Sequence, residues 1–380
     1  MAQTVGVAGG LVQGGGHGPL TNLYGFLADT ALQFKVITAD GVLKTANAKT
    51  NPDLFWALRG GGPAAFGVIV EATYKTFEDQ PSSSVSLDID TTHTTNATLF
   101  WQAVTIFHGY STRFVDNGLY VYYEIGTTGQ NLHVHPFVGI GKTPAELQAV
   151  LKPMFDDFAK IGITYTSTSS NYGTFYDLYN AVFEPEAAGN SALTGGWTIG
   201  RQDVAENHPA IITAFQTVLG AGSFMVGHMW SAGHGLPQNQ WANSAVNPRF
   251  RTVVDKLITI VPVGGNAPLA DKAAAQHKLT YVVDGALRDA APNGCAYINE
   301  VSCFGCRPGV MNTIVLTIWC RPTPTSPTGN RPSSAPTTRR CSISGRSMTP
   351  TECFTPSRRL APRTGSRSRR APGSAASSEH

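Results

Sequence analysis

The 380-residue chain lacks several features that would assign its class at once. It has no run of 18 apolar residues, which argues against a membrane-spanning helix. It has no G-x-x-x-x-G-K-[ST] loop and no G-x-G-x-x-G turn between a strand and a long helix, which argues against P-loop and nicotinamide-binding proteins. No secretory signal is visible after Met1, because a glycine-rich segment follows at once.

Cysteine and lysine are distributed very unevenly along the chain. The segment from Val301 onward has 12 Arg, no Lys and only two acids, so it carries a net charge of +10. Residues 1–300 hold the remaining 16 basic and 23 acidic residues and carry −7, although the whole chain carries only +3. All six cysteines come late: Cys295, Cys303, Cys306, Cys320, Cys341 and Cys353. The chain therefore has two chemically different parts.

Residues 301–380 are rich in Arg, Pro, Ser and Thr and have almost no apolar periodicity. Such a composition buries too little surface to offset its chain entropy, so this tail is expected to be disordered. A basic tail suits a nucleic-acid or membrane arm, but this pattern is also what out-of-frame reading of GC-rich codons gives, and we favour that explanation. Cys303 and Cys306 have no second pair, so we expect no metal site.

Two glycine clusters stand out in the remaining 300 residues: Gly6–Gly18 and Gly60–Gly62. Between them lie two β-strand patterns around Asp40-Gly41, a strong hairpin signal. Backbone N–H groups of glycine-rich turns converge on anions such as a pyrophosphate, although the same glycines also suit simple tight turns. The clusters predict a nucleotide cofactor without naming it.

The second cluster follows a short predicted helix. Asn51 is expected to be its N-cap, Pro52 lies in the first turn, and Arg59 ends it. The apolar residues of 66–70 then predict a buried strand.

The middle of the chain mixes alternating strands with helices. Residues 85–90 and 119–125 alternate as antiparallel strands, and residues 143–158 begin with a Thr cap and a Pro. Further helices are predicted over 97–107, 208–219 and 270–286. This order of strands and helices predicts an α+β fold for residues 83–300, with an antiparallel sheet and helices on one face.

Two segments carry a resemblance to a known family: TVGVAGGLVQGGGHGPLTNLYGFLADTALQFKVITADG and NPDLFWALRGGGPAAFGVI. They resemble the second FAD-subdomain motifs of the berberine-bridge-enzyme-like oxidoreductases, which have a PCMH-type FAD-binding domain and belong to the vanillyl-alcohol-oxidase superfamily. Asn247-Pro248 and the segment from Gly294 to Glu300 extend the likeness over roughly three quarters of the chain.

The resemblance implies that residues 1–82 form part of an FAD-binding domain, that residues 83–300 form a substrate domain, and that FAD is the cofactor. It places the following residues near FAD: Gly9, Gly10, Gly14, Gly15, Gly16, His17, Tyr24, Gly67 and Val68. Each glycine has the alternative role of a tight turn or close strand packing. His17 has the alternative role of capping a loop or bonding a carbonyl.

The resemblance also implies a small-molecule substrate, an alcohol, sugar or secondary-metabolite carbon that gives a hydride to flavin, with dioxygen as a candidate electron acceptor. Tyr297 is the candidate proton acceptor if a neighbouring group lowers its pKa, and Asn299 is a candidate substrate-orienting group. The alternatives are a strand tyrosine facing solvent and, for the whole chain, a flavin-less remnant. No nucleic-acid or membrane partner is expected, and the oligomeric state stays open.

The chain departs from the family at both ends. Members begin with a further FAD subdomain, whose histidine often joins the flavin covalently, whereas Met1 lies inside the second subdomain, so we expect a truncated chain. Ala2 stands where bicovalent members have cysteine, so neither covalent link can be carried over to this chain. After about Glu300 the family's aromatic segment is not found. Relatives are commonly secreted, and Asn96 begins a glycosylation sequon, but localisation stays open.

Overall fold

The computed structural model describes residues 5–183 and 192–300, together with the backbone of two short strands near the C-terminus. The two described ranges lie in one compact unit, residues 1–320. The expected disorder of residues 301–380 and the Cys303/Cys306 motif fall outside the fully described residues. The division at residues 82/83 stays a prediction.

The N-terminal segment consists of turns, short helices and a small sheet. Its elements are a π-helical turn Val7–Leu11, a 3-10 turn Val12–Gly14, helices α1 Thr21–Tyr24 and α2 Leu27–Thr30, strands β1 Ala31–Ile37 and β2 Leu43–Asn47, helix α3 Pro52–Leu58 and strand β3 Val68–Tyr74. The strands form an antiparallel sheet in the order β2-β1-β3. The predicted hairpin between β1 and β2 is confirmed, and Gly41 has the positive φ of +75° that its turn needs.

Asn51 is the N-cap residue of α3, as predicted, and its carbonyl accepts from the Phe55 N–H, but its side chain donates to the carbonyl of Thr45 and makes no cap hydrogen bond. One local expectation is wrong. The strand expected to be buried over residues 66–70 is covered on one face only. Ile69 is buried, whereas Val68 and Val70 are 68% and 53% exposed, because no described element packs on that face of the small sheet.

A seven-stranded antiparallel sheet dominates the rest of the described chain. Its strands are β4 Ser82–Ile89, β5 Tyr120–Ile125, β6 Leu132–Ile140, β7 Ser169–Tyr172, β8 Ala192–Gly200, β9 Phe224–Met229 and β10 Val253–Pro262, in the order β7-β4-β6-β5-β9-β10-β8. Every neighbouring pair is antiparallel, as the alternating patterns predicted.

All but one of the helices in this part of the described chain cover one face of the sheet. The helices are α4 Ala97–Gly109, α5 Ser111–Asp116, α6 Pro144–Ile161, α7 Phe175–Val182, α8 Arg201–Gly220, α9 Leu269–His277 and α10 Asp284–Ala290, with a π-helical turn Lys278–Val283 before α10. Thr143 forms the predicted cap of α6, with Glu146 reaching back to it. Apolar side chains of the sheet and of α4, α6 and α8 form the larger core. The expectation of helices on one face fails only for α7, whose Leu178 packs in the other core.

The N-terminal segment packs against the opposite face of the large sheet. A second core joins Val12, Phe26 and Phe34 to Trp230 of the loop after β9 and to Tyr297. A buried, bidentate ion pair strengthens this contact, because Asp29 accepts from Arg251 at 2.6 and 2.8 Å. The glycine-rich turns are therefore held over the sheet.

Two further observations complete the architecture. No helix among the described residues combines the length and apolarity that crossing a bilayer requires. In the unit of residues 321–380, the backbone of β11 Cys341–Ile343 pairs antiparallel with that of β12 Arg346–Met348.

Candidate active site

The first glycine cluster meets the segment that contains Tyr297 and Asn299. The N–H of Gly16 donates to the Tyr297 hydroxyl oxygen at 2.9 Å. The Asn299 amide donates to the same oxygen at 2.7 Å and to the carbonyl of Leu11 at 3.3 Å. Residues about 280 positions apart, singled out separately in the sequence, therefore lie together, although their roles in catalysis stay predictions.

The glycine turns differ in what they contact. Gly14 lies so close to the Asn299 amide that a Cβ at position 14 would overlap it. Gly15 and Gly16 have positive φ and turn the chain toward His17. No described atom lies within 4 Å of a Cβ built on Gly9 or Gly10. Packing within the described residues therefore explains Gly14 but leaves the space beside Gly9 and Gly10 open.

Tyr297 is almost fully buried, and this determines its protonation. Burial raises its pKa to about 12, while hydrogen bonds from Asn299, Gly16 and His17 act in the opposite direction and are weaker. A proton acceptor needs a lowered pKa, whereas the pKa of Tyr297 is raised. As the structure stands, Tyr297 is a neutral phenol that ties the glycine turn to the segment at 297–300.

His17 is also buried. A loop carbonyl was one of its expected partners, but its partner in the structure is a carboxylate. Its Nε2 lies 3.2 Å from Glu300 Oε1, and its ring stacks on Trp230 at a centroid distance of 5.3 Å. Burial, followed by the charge of Lys256, holds the His17 pKa well below its usual value. A neutral ring that donates through Nε2 has its lone pair on Nδ1, and this buried Nδ1 has no hydrogen-bond partner among the described residues.

His228 is a central residue of the cluster that the sequence did not single out. It lies on β9, is 5% exposed, and neither ring nitrogen has a hydrogen-bond partner among the described residues. Its ring lies 5.2 Å from that of His17 and 5.1 Å from that of Tyr122. Burial first, and then Lys256 and His17, hold its pKa well below the usual value, so the ring is neutral.

Lys256 and Glu300 lie beside the two histidines. Lys256 lies on β10 and is the direct cross-strand partner of His228 on β9. Its side-chain amine pairs with the Glu300 carboxylate. The amine nitrogen also lies 5.7 Å from the centre of the Tyr297 ring. Burial holds the Lys256 pKa well below its usual value. The signal in the sequence was a single titratable residue among apolar ones on this face of each strand, His228 in FMVGHM and Lys256 in VVDKLITIVP.

The other predicted cofactor residues lie in different surroundings. Tyr24 stacks on Phe77 at 3.5 Å, and its hydroxyl oxygen accepts from Gln80 at 3.4 Å. Gly67 precedes β3, and a Cβ there would lie 2.6 Å from the Ile37 carbonyl oxygen. This contact matches the alternative of close strand packing for Gly67, and Val68 is exposed next to it. A cofactor role for these three residues stays a prediction.

The cluster has the chemistry that a bound flavin requires. Buried ring nitrogens of His17 and His228 without partners are costly unless a further group hydrogen-bonds to them. The rings around them give flat, apolar surfaces, and the heterocyclic edge of a flavin carries donors and acceptors. The open space beside Gly9 and Gly10 suits the rest of such a cofactor. The residues therefore fit FAD.

Known proteins with similar sequences are FAD-linked oxidoreductases, although no protein-family model matches the chain. The chain is 32% identical over 301 residues to the FAD-linked oxidoreductase ZEB1 of Gibberella zeae, an alignment that covers 78% of this chain and 52% of ZEB1. It is 28% identical over 311 residues to the VAO-type flavoprotein oxidase VAO615 of Thermothelomyces thermophilus, with 78% and 52% coverage. The chain therefore spans about half the length of these curated relatives.

Solved structures agree with this assignment. The VAO-type flavoprotein MtVAO713 from Myceliophthora thermophila C1 superposes with a TM-score of 0.74 at 26% identity, covering 80% of this chain and 56% of that protein. Sequence, fold and the chemistry of the cluster point the same way: over most of its length the chain is similar to VAO-type and other FAD-linked oxidoreductases, and FAD is the cofactor that the names of these relatives give.

Proposed function

We propose that this chain supplies the substrate side of an FAD-dependent oxidoreductase that takes a hydride from an alcohol, a sugar or a secondary-metabolite carbon. The observation that carries the proposal is the pair of neutral, buried histidines beside the glycine turn: Nδ1 of His17 and both ring nitrogens of His228 lack hydrogen-bond partners among the described residues. In a neutral imidazole one nitrogen accepts a hydrogen bond and the other donates one, so the pair is equipped to orient a hydroxyl group.

Bound FAD would supply the hydride acceptor, and the chain's residues would hold the substrate and take up its proton. His228 lies on the sheet face with Tyr122 on one side and Lys256 on the other, so a hydroxyl at its ring is within reach of several polar groups. A neutral histidine accepts a hydroxyl proton more readily than a phenol whose pKa is about 12. We therefore assign the proton acceptor to His228 or His17, and assign to Tyr297 the positioning of the turn.

The test uses the chain joined to the portion of MtVAO713 that it does not match, which gives a protein of the relatives' length. Flavin absorbance of the purified protein reports cofactor binding, and oxygen uptake across a panel of alcohols and sugars reports turnover. We expect a yellow protein that consumes oxygen with at least one substrate. We expect His228→Leu to keep the flavin and lower kcat/KM by at least tenfold, about 1.4 kcal/mol, the scale of one hydrogen bond to a buried group.

The matched control is Tyr123→Phe, which removes a hydroxyl group of β5 on the opposite face of the same sheet. It should keep both the flavin and kcat/KM within about twofold. A colourless, folded protein would contradict the flavin site, and equal losses in the two variants would contradict the role of His228.

A further inference from the structure

A second cluster of metal-ligand residues lies on the same face of the large sheet as the candidate active site, on β4 and β6, nearer to the β7 edge. His133 and His135 alternate on β6, so their side chains leave the same face. Asp88 of β4 is the direct cross-strand partner of His133. The fold thereby brings two imidazoles and one carboxylate together from two strands.

The three side chains already converge on one oxygen atom. Asp88 Oδ1 lies 2.8 Å from His135 Nε2 and also bonds His133 Nδ1. The three candidate ligand atoms all lie within 4.8 Å of one another. Ligands at about 2.0–2.2 Å from a tetrahedral zinc ion are about 3.3–3.6 Å apart, so small side-chain rotations suffice to admit an ion.

The charge at this position favours a cation. Asp88 accepts hydrogen bonds from both His135 and His133, so its carboxyl group lies at the centre of the cluster. Glu124 of β5 is the partner of His133 on its other side and adds a second carboxylate to the same row. Imidazole and carboxylate are the ligand types that zinc and its neighbours in the periodic table accept.

We propose that Asp88, His133 and His135 bind a divalent transition-metal ion, with zinc as the reference ion and water completing the coordination. The nearby Asp90–His93 pair offers an internal comparison, because its Oδ1···Nδ1 contact of 2.9 Å has the same chemistry but no third ligand of this kind among the described residues. Two ligands hold an ion poorly, whereas three from rigid strands fix its geometry. The site is independent of the flavin chemistry proposed above.

Zinc binding to the purified chain tests the proposal, measured by competition with a chromophoric chelator at pH 7.5. All proteins carry Cys303→Ser and Cys306→Ser, so that thiolates of that motif contribute nothing. We expect one zinc ion per chain, an affinity at least tenfold lower in His135→Ala, and an affinity within about twofold of the parent in His93→Ala. His135 is half exposed, so its removal leaves the fold intact.

Two results would overturn the proposal. One is a parent protein that binds no zinc at micromolar concentrations. The other is a parent affinity that His135→Ala leaves unchanged, or that His93→Ala lowers as much as His135→Ala does. Asp88→Asn sharpens the outcome, because it keeps the size of the side chain but removes the anionic ligand. It should weaken zinc binding by at least tenfold.

Discussion

The two faces of the seven-stranded sheet each bury a group of polar side chains, and the two groups are satisfied differently. On the helix face, Asp255 accepts from the Tyr123 hydroxyl at 2.5 Å and lies 3.4 Å from His108 Nε2. His108 Nδ1 in turn lies 3.1 Å from His208 Nε2. On the face toward the glycine turns, both nitrogens of His228 lack partners among the described residues.

Asp255 and Lys256 are consecutive in the sequence, yet they belong to the two different groups, because successive side chains of a strand point to opposite faces. The network at Asp255, called closed below, is paired at most of its atoms: Tyr123 and His208 supply hydrogen bonds, and only Asp255 Oδ1 and His108 Nε2 lack a hydrogen-bond partner among the described residues. Such a network stabilises the fold. An open group such as the one at His228 costs stability until something binds to it. This difference distinguishes buried polar residues with a structural role from those that we expect to contact a ligand.

The largest expected effect is on the closed network. Asp255→Ala leaves the Tyr123 hydroxyl and His108 without their partner, and we expect a loss of about 3 kcal/mol in the free energy of unfolding. Urea denaturation measures it. Lys256→Met, the neighbouring change on the other face, should cost about 1 kcal/mol, because burial already disfavours the charged ammonium and Glu300, which is partly exposed, keeps His17 as a partner. Equal losses would remove the distinction between the two faces.

The pH dependence of stability should show the open group directly. The folded-state pKa values of His17 and His228 lie below the unfolded value of 6.5, so the unfolded chain binds more protons below that pH. Stability is therefore fully present above about pH 6.5 and falls as the pH drops, by about 1.4 kcal/mol per pH unit for each histidine. Urea denaturation between pH 7 and 5 should give a slope smaller by about that amount in His228→Leu.

Tyr297→Phe serves as the control for this slope and also gives a smaller effect of its own. The phenol, with a pKa of about 12, does not titrate between pH 5 and 7, so the slope should stay at its parent value. At pH 7, the variant loses the oxygen that accepts from Gly16 and Asn299, and we expect a destabilisation of about 1 kcal/mol. A variant as stable as the parent would show that these hydrogen bonds do not tie the glycine turn in place.

The smallest effect on stability is expected when His228 is replaced, and its comparison with replacement of His108 distinguishes the two faces most clearly. At pH 8, where the histidines are neutral in both states, His228→Leu should leave the free energy of unfolding within about 1 kcal/mol of the parent or raise it. The reason is that an apolar side chain replaces a polar one without partners. His108→Leu should lower it by about 1 to 3 kcal/mol, since Asp255 and His208 lose a neighbour. Thermal unfolding of the two variants side by side decides this.

Local patterns predicted much of this fold. The Asp40-Gly41 hairpin, the Thr143 cap and the alternation in β4 and β5 all depend on neighbours in sequence, and all are present. The exposed face of β3 was not predictable, because an apolar run of five residues reads the same whether one face or both are covered.

The candidate site was predictable in part. The glycine turn and Tyr297 came from motifs, but their contact depends on residues about 280 positions apart. His228 and Lys256 were missed because a single polar residue in an apolar strand does not reveal its cross-strand partner. Pairing between β9 and β10 is set by the whole sheet, and only that pairing brings the histidine and the lysine together.

Anaerobic reduction of the bound flavin tests the central claim most directly, in the chain joined to the unmatched portion of MtVAO713 and with a substrate found by oxygen uptake. The claim is that the open group at His228 is the substrate side of the flavin site and the closed network is not. We predict that His228→Leu slows reduction at least tenfold while Tyr123→Phe stays within twofold of the parent. Equal rates in the parent and His228→Leu, or equal slowing in both variants, would contradict it.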